Sequence, residues 1–253
     1  VQLREAIKTD QVHLDFQPEF DLHTRSVLGV EALVRWEHPH RGLLDPTEFV
    51  QLAETSGVIE ALGEWTLRAA CQQRAVWQAE MPAADFAVRV NVSPLQLDNP
   101  AFVELVSVVL SATGTQPGDL CLEVTERGEP KDAATMADVL LGLRQMGITI
   151  ALDDFGVGRN GLLRLRENLY DVIKIDQAFV RNLIPDSGDA TIVAAILRLG
   201  DDLGMDVVAE GIDSEVALAE LIRLGCRKGQ GFLLGEPMAA ADITELLALD
   251  ESR

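Results

Sequence analysis

Two adjacent carboxylates, Asp153 and Asp154, directly follow the apolar run at residues 148–152. A short apolar run bounded by turn signals predicts a strand that is buried on both faces, so the two aspartates lie where the chain leaves the core. Adjacent like charges are costly at such a place unless a positive group lies between them. The pair therefore either caps a helix or takes part in binding a cation.

Polar side chains interrupt or end seven predicted strands in a similar way. They are Glu31, Asn91, Glu123 with Glu126, Asp153 with Asp154, Lys174 with Asp176, Glu210, and Gln230. One such residue is most often a helix cap or a satisfied core group, but seven strands with the same feature are hard to explain by capping. In a barrel of parallel strands the carboxyl ends converge on the face that carries active sites. We therefore expect these side chains to form one site.

The ligand types indicate which cation such a site binds. Only oxygen donors occur among the candidate ligands, which are Glu31, Asn91, Glu123, Asp153, Asp154 and Glu210. Oxygen-only sites select Mg²⁺ or Mn²⁺, with Ca²⁺ as a competing occupant. Five carboxylates exceed the charge of one divalent ion, so we expect two ions with a bridging aspartate.

Two such ions activate water and stabilise an in-line displacement at phosphorus, which predicts a two-metal phosphoester hydrolase. An enolase-type proton abstraction with a lysine base is the weaker alternative, because paired aspartates and Asn91 suit two metals better.

The elements that position these residues alternate along the chain. Residues 12–22 and 26–36 read as a hairpin, and helices are predicted at 46–57 and 59–79. Strands at 86–93, 119–126, 148–154, 169–176 and 205–211 then alternate with helices at 101–113, 132–146, 190–203 and 214–224, and a last helix covers 240–247. This order predicts βαβ units and a closed (β/α)8 barrel. A doubly wound open sheet is the alternative, but no GxGxxG follows the first strand.

Composition narrows the classes of function. The formal net charge is −20, with 41 acidic against 21 basic residues, which argues against a generic nucleic-acid or anionic-membrane binder. Three cysteines without a CxxC pattern read as buried thiols in a reducing compartment, so we expect a cytoplasmic location. Four scattered histidines make zinc a poor fit. We expect residues 1–253 to be a single domain, excised from a longer multidomain protein that other segments could anchor to a membrane.

Several motifs in this order and spacing resemble the EAL-domain phosphodiesterases of cyclic di-GMP: GVEALVRW, NVS, EVTE, DDFGVG, KID, AEGID and QGF. The resemblance extends from Gln17 to Pro237. It implies a modified TIM (β/α)8 barrel with an antiparallel first strand, which agrees with the predicted hairpin. It also implies hydrolysis of one phosphodiester bond of cyclic di-GMP to linear pGpG, with the domain acting as a homodimer.

The resemblance also implies a role for each site residue. One metal ion would be held by Glu31, Asn91, Glu123 and Asp153, and the second by Asp153, Asp154 and Glu210. Lys174 would lie beside the attacking water, as base or as orienting group. Catalytic roles are also implied for Asp176 and Glu126, and Glu126 would support the loop after the two aspartates. Contacts with the dinucleotide are implied for Gln17 and Arg35, with Gln230 also near the substrate.

Three departures from the family pattern bear on activity. The usual continuation of DDFG with T-G-Y-S-S is replaced here, the altered residues being Val157, Arg159, Asn160 and Gly161. The loop thereby loses hydroxyls, which leaves open an alternative: a receptor that binds cyclic di-GMP with little or no turnover. Asp213 stands where a glutamate is usual, and Glu19 where an apolar residue is expected.

Overall fold

A computed structural model describes residues 2–9, 11–126, 131–158 and 161–250. The strands are β1 Val12–Asp21, β2 Val27–His38, β3 Gly42–Leu44, β4 Ala87–Val92, β5 Leu120–Thr125, β6 Thr149–Phe155, β7 Val172–Ile175, β8 Asp206–Ala209 and β9 Lys228–Gly229. The helices are α1 Gln2–Ala6, α2 Pro46–Ser56, α3 Ile59–Glu80, α4 Pro94–Leu97, α5 Phe102–Thr113, α6 Ala133–Gln145, α7 Gly161–Leu165, α8 Gln177–Val180, α9 Gly188–Leu203, α10 Glu215–Leu224 and α11 Ala240–Asp250. Across these ranges, none of the helices is both long and apolar enough to span a bilayer.

The strands form one closed sheet in the order β1-β9-β8-β7-β6-β5-β4-β2, and β2 pairs again with β1 to complete a barrel of eight strands. Strand β3 pairs only with β2 and lies outside the ring. β1 is antiparallel to both of its neighbours, whereas the pairs from β2 round to β9 are parallel. The predicted modified TIM barrel with an antiparallel first strand is thus confirmed.

The hairpin formed by β1 and β2 is the reason that β1 is antiparallel to its neighbour. Its turn contains Arg25 in the left-handed region, at φ 65°, and the Asp21 carboxylate accepts hydrogen bonds from the backbone N–H groups of His23 and Thr24. A direct reversal makes β1 antiparallel to β2, and β2 then begins the parallel series with β4. The hairpin register also pairs Gln17 with Glu31, so the two residues lie at the same height in the barrel.

Several short elements differ from the sequence-based expectations. β7 ends at Ile175 and not at Asp176, because the Asp176 carboxylate accepts the N–H of Ala178 and caps α8, a helix that the sequence patterns did not indicate. β8 ends at Ala209, one residue before Glu210, and Gly211 follows at φ 69°. Both differences place the polar residues just beyond the strand ends, where side chains turn over the mouth of the barrel.

Part of the barrel interior below the polar mouth is lined by small and apolar side chains. Cys121, Ala151, Val172 and Val208 form a buried cluster of their own, and each lies two residues before a polar side chain, on the same face of its strand. Outward-facing aliphatic residues of the strands pack against the helices in the main core. The candidate site residues thus lie above this cluster, at the carboxyl ends of the strands.

The three cysteines provide a test of this packing. Cys71, Cys121 and Cys226 are all free and buried, and burial raises the pKa of each thiol to about 12. Because the thiolate is the reactive form, we expect the folded protein not to react with a thiol reagent such as dithionitrobenzoate at pH 8. Three equivalents should react in denaturant. Rapid labelling of the folded chain would contradict this packing.

Candidate active site

The carboxyl ends of the parallel strands bring the predicted polar residues to one mouth of the barrel. They arrive from separate strands: Glu31 from β2, Asn91 from β4, Glu123 from β5, Asp153 and Asp154 from β6, Lys174 from β7, and Glu210 and Gln230 from just after β8 and β9. Side chains distant in sequence thereby become neighbours, because the parallel strands end at one level.

Lys174 lies at the centre of this group and is completely buried. Its Nζ lies 2.7 Å from Glu123 Oε2 and 2.7 Å from Glu210 Oε1, 3.3 Å from Glu31 Oε2 and 3.8 Å from Asp153 Oδ1. Burial by itself lowers the pKa of Lys174, but the surrounding carboxylates, Asp153 foremost, raise that pKa well above its usual value. Lys174 is therefore an ammonium that joins four carboxylates.

One ammonium does not balance these carboxylates. Burial raises the pKa of Glu123 to about 8, and burial together with the charge of Asp153 raises the pKa of Glu210 well above its ordinary range. The pKa of Asp153 is also raised, by burial first and then by Glu31. Raised pKa values on crowded carboxyl groups indicate a shortage of positive charge. A site of this kind favours additional cations.

Two amide side chains hold Glu31 in position. Asn91 Nδ2 donates to Glu31 Oε1 at 2.6 Å, and Gln230 Nε2 donates to Glu31 Oε2 at 2.6 Å and to Glu210 Oε1 at 3.1 Å. Although burial opposes it, the charge of Lys174 and these hydrogen bonds lower the pKa of Glu31. Glu31 therefore remains an anion next to carboxyl groups whose pKa values are raised.

Asp153, Asp154 and Glu210 are arranged as ligands of a metal ion. One oxygen of each lies within 4.8 Å of the others. Asp154 has a φ of 56°, in the left-handed region that is uncommon for a residue with a side chain, and its N–H donates to Asp153 Oδ1 at 2.8 Å. Such strained backbone is frequent at functional sites.

A second observation indicates that a divalent cation fits this donor set. Glu123 Oε1 and Gln230 Oε1 are buried oxygens for which the described part of the chain offers no hydrogen-bond partner. Buried oxygen atoms without donors are costly, and a cation compensates them. An all-oxygen set of this kind suits a hard divalent ion better than zinc.

Glu126 lies outside the cluster and holds the loop after β6. Its carboxylate accepts the backbone N–H groups of Gly156 at 2.9 Å, Gly158 at 3.1 Å and Gly161 at 2.7 Å. A Cβ at Gly158, which the altered loop keeps, or at Gly161, which is one of its altered residues, would collide with the Glu126 side chain, so a glycine is needed at both close approaches. Of the altered residues, Arg159 and Asn160 lie outside the described ranges.

This loop gives a test at Glu126. A Glu126→Gln substitution turns one acceptor oxygen into an NH₂ donor that faces backbone donors, so the loop loses charge-assisted hydrogen bonds. We expect kcat to fall about 10- to 100-fold, as for other residues that orient metal ligands. The control is Glu167→Gln, the same change on an exposed residue beyond α7. Equal rates for the two variants would contradict the supporting role.

Three further predicted residues have partners outside the carboxylate cluster. Gln17 Nε2 donates to the carbonyl of Gly235 at 3.1 Å. Arg35 Nε donates to Asp15 Oδ2 at 2.8 Å, which holds its guanidinium on the hairpin. Asp176 caps α8. Gln17 and Arg35 thus have partners on the hairpin and on the segment after β9, whereas the charge of Asp176 also acts on Asp153 of the cluster and raises its pKa.

Residues that the sequence patterns did not assign also border the site. A cavity of about 170 Å³ adjoins Glu210 and is lined by Arg181, Asp213 and Phe232 among others. Each follows one of the same strand ends by a few residues, which is the signal that could have identified them. Glu19, unexplained in sequence, pairs inside the barrel with Arg89, whose Nη2 lies 2.6 Å from Glu19 Oε1.

Two curated proteins of one organism are similar in sequence to nearly the whole of this chain. Among curated proteins, the chain is 42% identical over 246 residues to the bifunctional diguanylate cyclase/cyclic di-GMP phosphodiesterase MucR of Pseudomonas aeruginosa, covering 97% of this chain and 36% of MucR. It is 37% identical over 246 residues to the cyclic di-GMP phosphodiesterase PA2567 of the same organism, covering 97% of this chain and 42% of that protein. The chain thus spans well under half the length of these relatives.

Two solved structures are similar to this chain in both sequence and fold. The PaMucR phosphodiesterase in complex with c-di-GMP superposes with a TM-score of 0.89 at 42% identity, covering 96% of this chain and 98% of that one. The EAL enzyme Bd1971 in its cGMP-bound form has a TM-score of 0.91 at 30% identity, covering 97% of this chain and 68% of that one. The family profile described as EAL domain matches residues 1–237. The chain belongs to the EAL domain family.

Proposed function

We propose that this domain hydrolyses one phosphodiester bond of cyclic di-GMP and releases linear pGpG. The observation that supports it most directly is the group of five carboxylates at the barrel mouth, four of them within 4 Å of Lys174, in a family whose relatives carry the name cyclic di-GMP phosphodiesterase. The supported Glu126 loop favours this activity over a receptor without turnover, because three backbone N–H groups hold the Glu126 carboxylate although the loop lacks the usual hydroxyls.

Mg²⁺ or Mn²⁺ is the proposed cofactor, with two ions in the site. The first would take oxygens of Glu31, Asn91, Glu123 and Asp153, and the second those of Asp153, Asp154 and Glu210. Bound ions of this type lower the pKa of water and offset negative charge that develops at phosphorus. Ca²⁺ prefers longer bonds and more ligands, so we propose that it binds and inhibits.

The chain's own residues position the reacting groups. Lys174 keeps the carboxylates together by its charge and orients the water for attack. Gln230 fixes Glu31 and Glu210 through its amide nitrogen, so both keep their orientation when substrate enters. The planar fork of Arg35 suits a phosphate, and its bond to Asp15 holds it ready beside the mouth. Gln17 lies level with Glu31 and would contact the dinucleotide.

One assay tests this function. The purified domain is incubated with cyclic di-GMP and Mg²⁺ or Mn²⁺, and products are separated by chromatography. We expect pGpG, and suppression of its formation by Ca²⁺. Binding without product would favour the receptor alternative, and the absence of binding would contradict both.

The wider setting of the domain stays a proposal. We infer that it is one part of a longer multidomain protein, acts as a homodimer and needs neither a nucleic-acid polymer nor a membrane as partner. A cytoplasmic location is supported by three cysteines that are free and buried. Sedimentation analysis of the domain with and without substrate would test the dimer.

A further inference from the structure

Arg164 links the short helix α7 to the end of strand β5. The helix comprises Gly161–Leu165, and Arg164 Nη1 donates to the backbone carbonyl of Thr125 at 2.9 Å. Thr125 is the last residue of β5 and directly precedes Glu126. A hydrogen bond from a charged donor is stronger than one between neutral groups, so this contact is a firm link between the two elements.

A second link joins the same two elements at the other end of α7. The Glu126 carboxylate accepts the N–H of Gly161, the first residue of the helix, at 2.7 Å. The donor lies on α7 in both links, and the acceptors belong to the consecutive residues Thr125 and Glu126. The first turn of α7 and its last turn are thus bound to one point of the barrel.

These links are important because α7 has little apolar packing. Of its five residues, Gly161 and Leu165 are buried, whereas Leu162 and Leu163 are 69% and 57% exposed. So short a helix is not stable by itself, and contacts with the rest of the protein must hold it. The position of α7 therefore depends on its two polar links to β5.

The loop between β6 and α7 increases this dependence. It lacks the hydroxyl groups that T-G-Y-S-S would supply, for example at Val157 and Gly161. Hydroxyl groups commonly hold turns by bonding to nearby backbone groups. Without them, more of the positioning falls to side chains outside the loop, which here are Glu126 and Arg164.

The end of β5 also contacts the proposed metal ligands of β6. Thr125 is the strand neighbour of Asp153, and the N–H of Glu126 donates to the Asp153 carbonyl at 2.8 Å. Asp154 follows with a φ of 56°, and a residue in this uncommon conformation persists only where surrounding contacts hold it. A shift at the end of β5 would therefore reach the turn that carries both aspartates.

We propose that Arg164 is a positioning residue for the reaction: by linking α7 to β5, it keeps Asp153 and Asp154 in the arrangement that binds the divalent ion. The proposal rests on the proposed function. Arg164 acts through Thr125 and the end of β5, and not by contact with substrate or metal ion. Its removal should therefore weaken metal binding and lower kcat, with little change in KM for cyclic di-GMP.

The experiment measures the Kd for Mn²⁺ by electron paramagnetic resonance without substrate, and then kcat and KM for cyclic di-GMP. Arg164→Met keeps the aliphatic stem and removes the donors. We expect a Kd for Mn²⁺ about 10-fold higher and a kcat about 10-fold lower, with KM within about 2-fold, as for other residues that orient metal ligands. Arg164→Lys keeps a charged donor and should recover part of the lost affinity.

The matched control is Arg166→Met, the same change at an exposed position directly after α7. It should alter none of these values, and its midpoint of urea denaturation should equal that of Arg164→Met. The same Kd for Mn²⁺ in both methionine variants would overturn the proposal. A loss of affinity in Arg164→Met that Arg164→Lys does not reduce would overturn it as well, because the effect would then not depend on the donor.

A double variant tests whether the two links hold the same unit. If Arg164 and Glu126 act on one segment, their effects do not add. Arg164→Met should therefore raise the Kd for Mn²⁺ less than about 3-fold in the Glu126→Gln background, against about 10-fold in the unmodified domain. The full effect in that background would contradict the proposed route through α7 and β5.

The proposed function can fail separately. If the unmodified domain binds Mn²⁺ but forms no pGpG, the phosphodiesterase assignment is wrong. The Kd values for Mn²⁺ then still decide whether Arg164 positions the aspartates, because they are measured without substrate. If the unmodified domain binds no Mn²⁺, both proposals are rejected.

Discussion

Replacing Lys174 by alanine is expected to abolish turnover of cyclic di-GMP while largely sparing nucleotide binding. The ammonium lies within 4 Å of Glu31, Glu123, Asp153 and Glu210 and orients the water in the proposed reaction. Groups in such a position typically contribute about 100-fold or more to the rate. Rates of pGpG formation and Kd values, measured by calorimetry with Ca²⁺, would check both halves of the expectation.

Lys174→Ala should also lower stability when divalent ions are removed by chelation. Removing the positive partner of buried carboxylates typically costs about 3–5 kcal/mol, reduced here to the extent that carboxyl groups take up protons. Added Mg²⁺ should restore more stability to this variant than to the unmodified domain. Urea denaturation with and without the ion would measure the difference.

The matched control for Lys174 is Lys228→Ala. Its ammonium also lies 2.7 Å from a carboxylate, that of Asp206, but the pair is partly exposed at the opposite end of β8. Exposed pairs contribute about 0–1 kcal/mol, so neither rate nor stability should change noticeably. A near-normal rate in Lys174→Ala would remove Lys174 from the mechanism.

Replacing Arg89 by methionine is expected to destabilise the barrel by about 3–5 kcal/mol. Arg89 Nη2 lies 2.6 Å from Glu19 Oε1 inside the barrel, and Nη1 lies 3.2 Å from the sulfur of Cys121. Without Arg89, the fully buried carboxylate of Glu19 keeps no ion-pair partner among the described residues and bears its desolvation cost. Urea denaturation at fixed pH, with the midpoint and slope both reported, would measure the loss.

The double variant Glu19→Leu with Arg89→Met distinguishes the contribution of the ion pair from the contribution of side-chain packing. Glu19 Oε2 and Arg89 Nε are buried without hydrogen-bond partners among the described residues, so the pair is incompletely satisfied. Apolar replacement of both partners should therefore be nearly neutral compared with Arg89→Met alone. Arg68→Met, which breaks the exposed pair with Glu64, is the control and should cost less than about 1 kcal/mol. Equal losses in the single and double variants would contradict this account.

Local sequence patterns were sufficient to predict the barrel and to predict that the site residues lie at one end of it. Apolar runs such as 148–152 marked buried strands, and a polar residue at the end of each marked the mouth. The short turn at residues 23–25 indicated the antiparallel first strand. These signals are local, because strand burial and turn conformation depend on neighbouring residues.

The tertiary structure alone decided which of these groups meet. Lys174 joins Glu123, 51 residues away, and Glu31, 143 residues away, and that charge balance exists only once the barrel closes. Arg89 and Glu19 are 70 residues apart in sequence, so no local pattern links the cation inside the barrel to its partner. The cavity of Arg181, Asp213 and Phe232 likewise arises only where three strand ends lie side by side. Sequence alone therefore determined the residue types at the mouth, whereas barrel closure determined their distances and hence their charges.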